Sequence, residues 1–186
     1  MDNGASSYRR FRENNDESGL VEIIKEYKDG LIFFLAGIVG DITKAEELTE
    51  DTFVLIGIKK PWDKKKGSFK TWLYTIGRNL AIDYLRKKNR CKEVSFDDGF
   101  EITSEEYDLE MSYIRQERNI VLHQTIRTLK TEYQQVLWLI YFEEMSMKEV
   151  AAVMKKTVHN IETLAYRARR SLKEHLEKKG VTDEDL

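Results

Sequence analysis

The sequence predicts an all-α protein of two small helical domains joined by an acidic linker, the second domain containing a helix-turn-helix. Three observations carry this reading. Among 186 residues there is one proline and there are ten glycines, too little punctuation for a chain of many turns and well suited to long helices. Apolar residues recur at spacings of three and four in several separate stretches. The charge also changes sign by segment, although the formal net charge is only -2. Residues 59–92 hold twelve Lys/Arg against Asp63 and Asp83, a formal +10. Residues 93–112 hold eight acidic groups and no Lys or Arg, and residues 155–179 hold eight Lys/Arg against three acids, a formal +5.

Residues 1–18 are polar, lack the apolar core of a signal peptide, and are expected to form a flexible N-terminus. The first domain is expected over 19–90. Leu20, Ile23, Ile24, Tyr27, Leu31, Phe34, Leu35 and Ile38 have the spacing of one helix over 20–38. Gly40 and Asp41 interrupt it. Thr43 followed by Glu46 has the form of a capping box and predicts a second helix to about Ile58. Its inward residues would be Ala45, Leu48, Thr52, Leu55 and Ile56. Pro61–Gly67 reads as a loop. Ser68 can cap a third helix to about Lys88, with Phe69, Leu73, Ile76, Leu80 and Tyr84 inside. Three such helices can close a small core.

The linker is expected over 91–112, largely extended, because its apolar residues show no single period. The second domain is expected over 113–179, followed by an acidic tail at 180–186. Val121, Leu122, Ile126 and Leu129 form one stripe. Thr131 and Glu132 open a further helix carrying Val136, Leu137 and Ile140. In FEEMSMKEVAAVMKKTVHNIETLAYRARRSL, residues 142–172, Ser146 and Glu149 form a Ser-x-x-Glu capping box. The helix it starts bears Val150, Ala151 and Met154. Lys155 and Lys156 end it, and Thr157 can cap a second helix striped by Ile161, Leu164, Ala168, Leu172 and Leu176. Two helices across so short a turn are a helix-turn-helix candidate.

Composition sets aside several functions. Cys91 is the only cysteine, so an intramolecular disulfide is excluded and a reducing cytoplasm is the expected location. His123, His159 and His175 lack metal-ligand spacing with a cysteine, so no metal or other cofactor is expected. No apolar run approaches the roughly 18 residues of a membrane span, so stable membrane insertion is not expected. No carboxylate cluster or nucleophile–base motif suggests an enzyme.

What the pattern does offer is a surface for polyanions. Trp62, Trp72 and Tyr74 lie among Lys64, Lys65, Lys66, Lys70, Arg78 and Asn79, the mixture of aromatic faces and cations that holds single-stranded bases and phosphates. On the last helix His159, Asn160, Thr163, Arg167 and Arg170 face outward, beside Lys155, Lys156 and Thr157 at its start. These groups suit base edges and phosphates. On the second helix Glu46, Glu47, Glu50 and Asp51 flank Leu48 and Phe53, an acidic rim around an apolar centre that could meet a basic partner helix.

Three stretches in this order resemble a sigma factor of the extracytoplasmic-function type, over roughly residues 20–178. KAEELTEDTFVLIG at 44–57 is similar to the helix by which that family grips the clamp coiled coil of core RNA polymerase. GSFKTWLYTIGRNLAIDYLRKKNR at 67–90 is similar to the helix that opens and reads the minus-ten element, and the loop 60–68 matches where the family captures a flipped base. The stretch 142–172 is similar to the domain that reads the minus-thirty-five element. The resemblance implies promoter DNA and core RNA polymerase as partners, an anti-sigma factor as a common third, and a linker threading the polymerase channel. Lys155 stands where the family usually has glycine, and Glu162 and Leu164 stand where it often has Lys or Arg. The alternative class is a stand-alone regulator that binds duplex DNA through residues 142–178.

Overall fold

The computed structural model describes residues 3–58, 62, 67–92 and 117–180. The acidic strap at 93–112, Lys64, Lys65 and Lys66 of the loop, and the tail at 181–186 lie outside these residues. The described residues form helices α1 (Asn3–Asn14), α2 (Glu17–Val39), α3 (Ile42–Ile58), α4 (Phe69–Lys92), α5 (Glu117–Arg127), α6 (Thr131–Leu137), α7 (Met147–Met154) and α8 (Val158–Lys178). A π-helical segment, Trp138–Phe142, continues α6.

Local chemistry sets the helix ends. Asp16 caps α2 by accepting from Ser18 N–H at 3.0 Å, and Gly40 closes it in the left-handed conformation, φ 72°. Helix α3 starts one residue before the expected Thr43. Its cap is Asp41, whose carboxylate accepts from Lys44 N–H at 3.0 Å, so the Thr43–Glu46 capping box is not used. A carboxylate at a helix N-terminus gains from the helix dipole as well as from the bond. Ser68 caps α4 through Thr71 N–H at 3.2 Å.

Helix α2 is the centre of the molecule. Ile23, Leu31, Phe34, Leu35 and Val39 are almost entirely buried, and α2 packs against α1, α3, α4, α6 and the π segment. Against it α3 lays Ala45, Leu48, Thr52 and Ile56, and α4 lays Phe69, Leu73 and Ile76. In the C-terminal half α8 crosses α5, α6 and α7, burying Ile161, Ala165, Ala168 and Leu176. The expected inner residues Leu164 and Leu172 are only half-buried, while Ala165 is buried.

Residues 3–14 depart from the expected flexible N-terminus. They form α1, which packs on α2 and α4. Tyr8 is 3% exposed. Its ring lies 5.1 Å from Phe69 and 5.3 Å from Trp72, and its hydroxyl donates to the Ile56 carbonyl at 3.1 Å. Arg12 donates to the Gly57 carbonyl at 3.1 Å, and Arg10 pairs with Glu22. Ala5, Tyr8 and Phe11 do repeat every three residues, but three apolar side chains in a polar stretch of twelve bury little by themselves, and tertiary packing supplies the helix's stability.

Two predictions follow from this packing. Tyr8→Ala should cost about 3–5 kcal/mol of stability, the range for deleting a buried aromatic ring; urea denaturation measures it, and a loss under about 0.5 kcal/mol would mean that α1 does not dock. His123 supplies the second. It is 6% exposed, edge-on to Phe33, Trp138 and Phe142. Burial, with the nearby Arg127 charge, lowers its pKa to about 4 from 6.5. Between those values the unfolded chain binds a proton that the folded chain refuses, so stability should rise with pH through this window. Acidifying from pH 6.5 to 4 should cost on the order of 3 kcal/mol through this group. Denaturation across that range should show a smaller loss for His123→Phe, which keeps a ring and cannot titrate.

Candidate nucleic-acid interface

Helix α7, its turn and α8 make the helix-turn-helix. Ser146 accepts from Glu149 N–H at 3.4 Å, and Glu149 returns the bond to Ser146 N–H at 3.0 Å, so the capping box is complete. Lys155 adopts the left-handed conformation, φ 54° and ψ 45°, which glycine takes without steric cost. Thr157 caps α8 through Asn160 N–H at 3.2 Å. His159, Asn160, Arg167 and Arg170 are exposed, and Thr163 is half-buried with its hydroxyl donating to the His159 carbonyl at 3.1 Å. Lys156 is held by Glu132 at 2.9 Å and Arg170 by Glu174 at 3.0 Å. Both pairs are open to solvent and worth little, so a phosphate could displace either. Tyr166, 63% exposed, belongs to the same outward face. Its spacing from His159 and Thr163, seven and three residues, is the signal that would have found it.

The α3 surface differs from expectation in its apolar part. Glu46, Glu47, Glu50 and Asp51 are exposed, and Lys44 pairs with Glu47. Leu48 and Phe53, however, are 5% and 7% exposed and belong to the core. The exposed apolar residues are Val54, at 55%, and Ile58, at 67%. With Glu47 and Asp51 they stand at intervals of four, three and four, one face of a helix. That face is legible in the spacing, whereas Phe53 lies on the core side of the helix.

On α4 the expected cluster divides. Tyr74 is fully buried beside Phe34, 5.4 Å between rings, so it cannot stack on a base. Trp72 is half-buried between Phe69 and Tyr8. Trp62 is half-buried, edge-on to Phe69, and its indole N–H donates to the Gly67 carbonyl at 3.2 Å. Lys70 and Arg78 face the C-terminal half of the chain. Lys70 Nζ lies 2.7 Å from the Glu143 carboxylate and donates to the Glu143 carbonyl at 2.8 Å. Arg78 Nε donates to Gln135 Oε1 at 3.0 Å, and burial pushes its guanidinium pKa down. Asn79 is half-buried on the same helix.

An acidic–apolar helix face, an aromatic–cationic helix beside it and a helix-turn-helix are surfaces of the kinds that meet protein partners and nucleic acid. The comparisons define it further. Residues 23–91 match the family description Sigma-70 region 2, and residues 120–172 match Sigma-70, region 4. The chain is 30% identical to the RNA polymerase sigma factor YlaC of Bacillus subtilis, over 84% of this chain and 91% of that one. It is 31% identical to the ECF RNA polymerase sigma factor SigM of the same organism, over 88% and 98%. Its fold is similar to that of the sigma factor RpoE of Bartonella quintana, solved with the anti-sigma factor NepR, at a TM-score of 0.66 and 22% identity over 84% of this chain and 95% of that one. The chain belongs to the extracytoplasmic-function sigma factors of the sigma-70 family.

The turn yields a stability prediction. A side chain at φ 54° carries a steric cost of about 1–2 kcal/mol that glycine escapes, offset in part by glycine's greater freedom in the unfolded chain. Lys155→Gly should therefore stabilise the protein by about 1 kcal/mol in thermal or chemical denaturation. A variant less stable than the parent would show that the lysine side chain holds the turn.

Proposed function

We propose that this chain is an alternative sigma factor that binds core RNA polymerase, opens the minus-ten element with α4 and reads the minus-thirty-five element with α8. Catalysis is left to the polymerase, and the protein acts where the polymerase is, in the cytoplasm. The observation that carries the reading is the outward stripe Glu47, Asp51, Val54 and Ile58 on α3. An acidic and apolar stripe beside two DNA-facing helices serves a protein partner with basic residues around an apolar seam, and a DNA-binding protein that worked alone would have no use for it.

The proposed division of labour follows the chain. Residues 19–90, joined by α1, form the unit similar to region 2. Residues 91–112 link it to the unit similar to region 4, over 113–179, and the acidic strap follows the positively charged polymerase channel. Residues 180–186 are an acidic tail. Polymerase binding belongs to Glu46, Glu47, Glu50 and Asp51 with Val54 and Ile58, in place of the buried Leu48 and Phe53. Melting belongs to Trp62, Trp72, Lys64, Lys65, Lys66, Lys70, Arg78 and Asn79. Upstream recognition belongs to Lys155, Lys156, Thr157, His159, Asn160, Thr163, Tyr166, Arg167 and Arg170. An anti-sigma factor is a further proposed partner, since the Bartonella sigma factor of like fold is bound to one.

Run-off transcription with core polymerase on genomic fragments tests the reading. Glu50→Lys with Asp51→Lys should abolish core binding in a pull-down and with it all transcripts. Asn160→Ala should bind core normally but change the preferred upstream bases, each lost base contact being worth roughly 1–3 kcal/mol. Undiminished core binding by the charge-reversed protein would remove α3 from the polymerase interface.

A further inference from the structure

Helix α1 touches both helices that the proposed function places at the polymerase and at the minus-ten element, and Tyr8 is its contact with each. The last four carbonyls of a helix have no partner within it. At the end of α3 two of them receive donors from α1. The Tyr8 hydroxyl donates to the Ile56 carbonyl at 3.1 Å, and Arg12 donates to the Gly57 carbonyl at 3.1 Å. Helix α3 has no basic residue in its last turn, so Arg12 also brings a cation to the negative end of the helix dipole. The turn held in this way carries Ile58 and follows Val54, the exposed apolar part of the α3 stripe.

The ring of Tyr8 packs on α4. It lies 5.1 Å from Phe69 and 5.3 Å from Trp72. Phe69, fully buried, is 5.6 Å from Trp72 and edge-on to Trp62 at 6.0 Å. Trp62 and Trp72 are half-buried, each with part of its ring in this cluster and part in solvent. Helix α1 is seated on α2 as well. Ser7 donates to Glu22 at 2.7 Å, and Arg10 pairs with the same carboxylate. Two glycines allow the close approach: a Cβ on Gly19 would collide with the Ser7 carbonyl, and one on Gly4 would lie 2.7 Å from Phe69 Cδ1. With α1 held on α2, α3 and α4 at once, the Tyr8 ring has a fixed place.

We propose that Tyr8 is a positioning residue for strand opening: its hydroxyl is anchored at the end of α3, and its ring holds Trp72 in the orientation in which the indole meets an unpaired base. The role rests on the sigma-factor reading and adds to it a physical link between the helix assigned to the polymerase and the helix assigned to the promoter. The reason is preorganisation. A side chain that must be ordered on binding gives up part of its interaction to that ordering, and one already held does not. Without Tyr8 the indole of Trp72 keeps Phe69 on one side and meets a gap on the other, so other orientations compete with the one that stacks. The loss falls on the opening step, where base stacking contributes, and leaves upstream recognition by α8 as it was.

The test uses the full chain assembled with core polymerase on a promoter found by run-off transcription. Permanganate reactivity of unpaired thymines reads opening per bound complex, so a change in polymerase affinity drops out. Tyr8→Leu leaves an apolar side chain in the core without ring or hydroxyl; opening should fall about tenfold, within the range of one lost stacking contact. Tyr8→Phe with Arg12→Gln keeps every buried ring and removes only the two donors to α3. Its opening should fall about threefold, and it carries the test if Tyr8→Leu does not fold. The Trp72→Ala background supplies the readout that a merely structural role would not move. There the brace has no indole to orient, so adding either set of changes should alter opening by less than about twofold, whereas a loss of stability alone would lower it by the same factor in both backgrounds. Parental opening in either folded variant, or an equal loss with and without Trp72, would overturn the positioning role and leave the sigma-factor reading standing. A parent that opens no promoter would overturn that reading and the positioning role with it.

Discussion

The packing of α2 is the constraint from which the other arrangements follow. Ile23, Leu31, Phe34, Leu35 and Val39 are removed from water almost completely, each contributing roughly 1.5–3 kcal/mol relative to exposure. Residues 31–39 of α2 are apolar nearly all round and must be covered on every side, whereas the preceding turns leave Glu22, Lys25, Glu26 and Asp29 in solvent. Helices α1, α3 and α4 cover it in the N-terminal half, and α6 with the π segment covers the Gly30–Phe33–Gly37 side. Because α3 is held against α2 by Leu48, Thr52 and Ile56, its opposite face must carry Glu47, Asp51, Val54 and Ile58. Because α4 is held by Phe69, Leu73 and Ile76, Lys70 and Arg78 are directed away from that core.

The same constraint separates aromatics that support the site from those available to it. Tyr8, Phe69 and Trp72 form one aromatic cluster with Trp62 at its edge. Phe69 is its buried member, and Trp62 and Trp72 each keep part of their rings exposed. A tryptophan braced in this way loses little side-chain freedom on meeting a base, which favours stacking. Helix α1 thus contributes to the proposed melting surface without offering a residue to it: it sets the position of Trp72 through Tyr8.

Glu149 links two levels of organisation. Partial burial pushes its carboxyl pKa up, but hydrogen bonds from Ser68, Ser146 and Thr71 outweigh this and hold the group below the usual carboxylate range. The bonds within α7 are local and belong to any capping box. The bonds to Ser68 and Thr71 cross 81 and 78 residues of chain and exist only while the halves are docked. Lowering the pH through the folded-state pKa of Glu149 removes the charge that both sets favour, so the cap and the seam weaken together on the acid side.

The sequence by itself determined the helices from α2 onward, their order and the helix-turn-helix, because three- and four-residue periodicity, the Ser146–Glu149 box and the Thr157 cap are local properties of the chain. It also determined the outward set His159, Asn160, Arg167 and Arg170, since a well-formed stripe on one face of α8 leaves little freedom for the other. Tertiary structure decided what depends on a neighbour. Phe53 and Tyr74 read as surface groups by residue type and are core because α3 and α4 turn those positions inward. Residues 3–14 carry a stripe of only Ala5, Tyr8 and Phe11 in an otherwise polar stretch, and the contact with Phe69 and Trp72 gives α1 its place. Lys70 and Arg78 read correctly as cations on α4, but no local pattern records that Glu143 and Gln135 lie across from them. A period of 3.6 tells which residues share a face; which face meets another element is settled by packing between segments far apart in the chain.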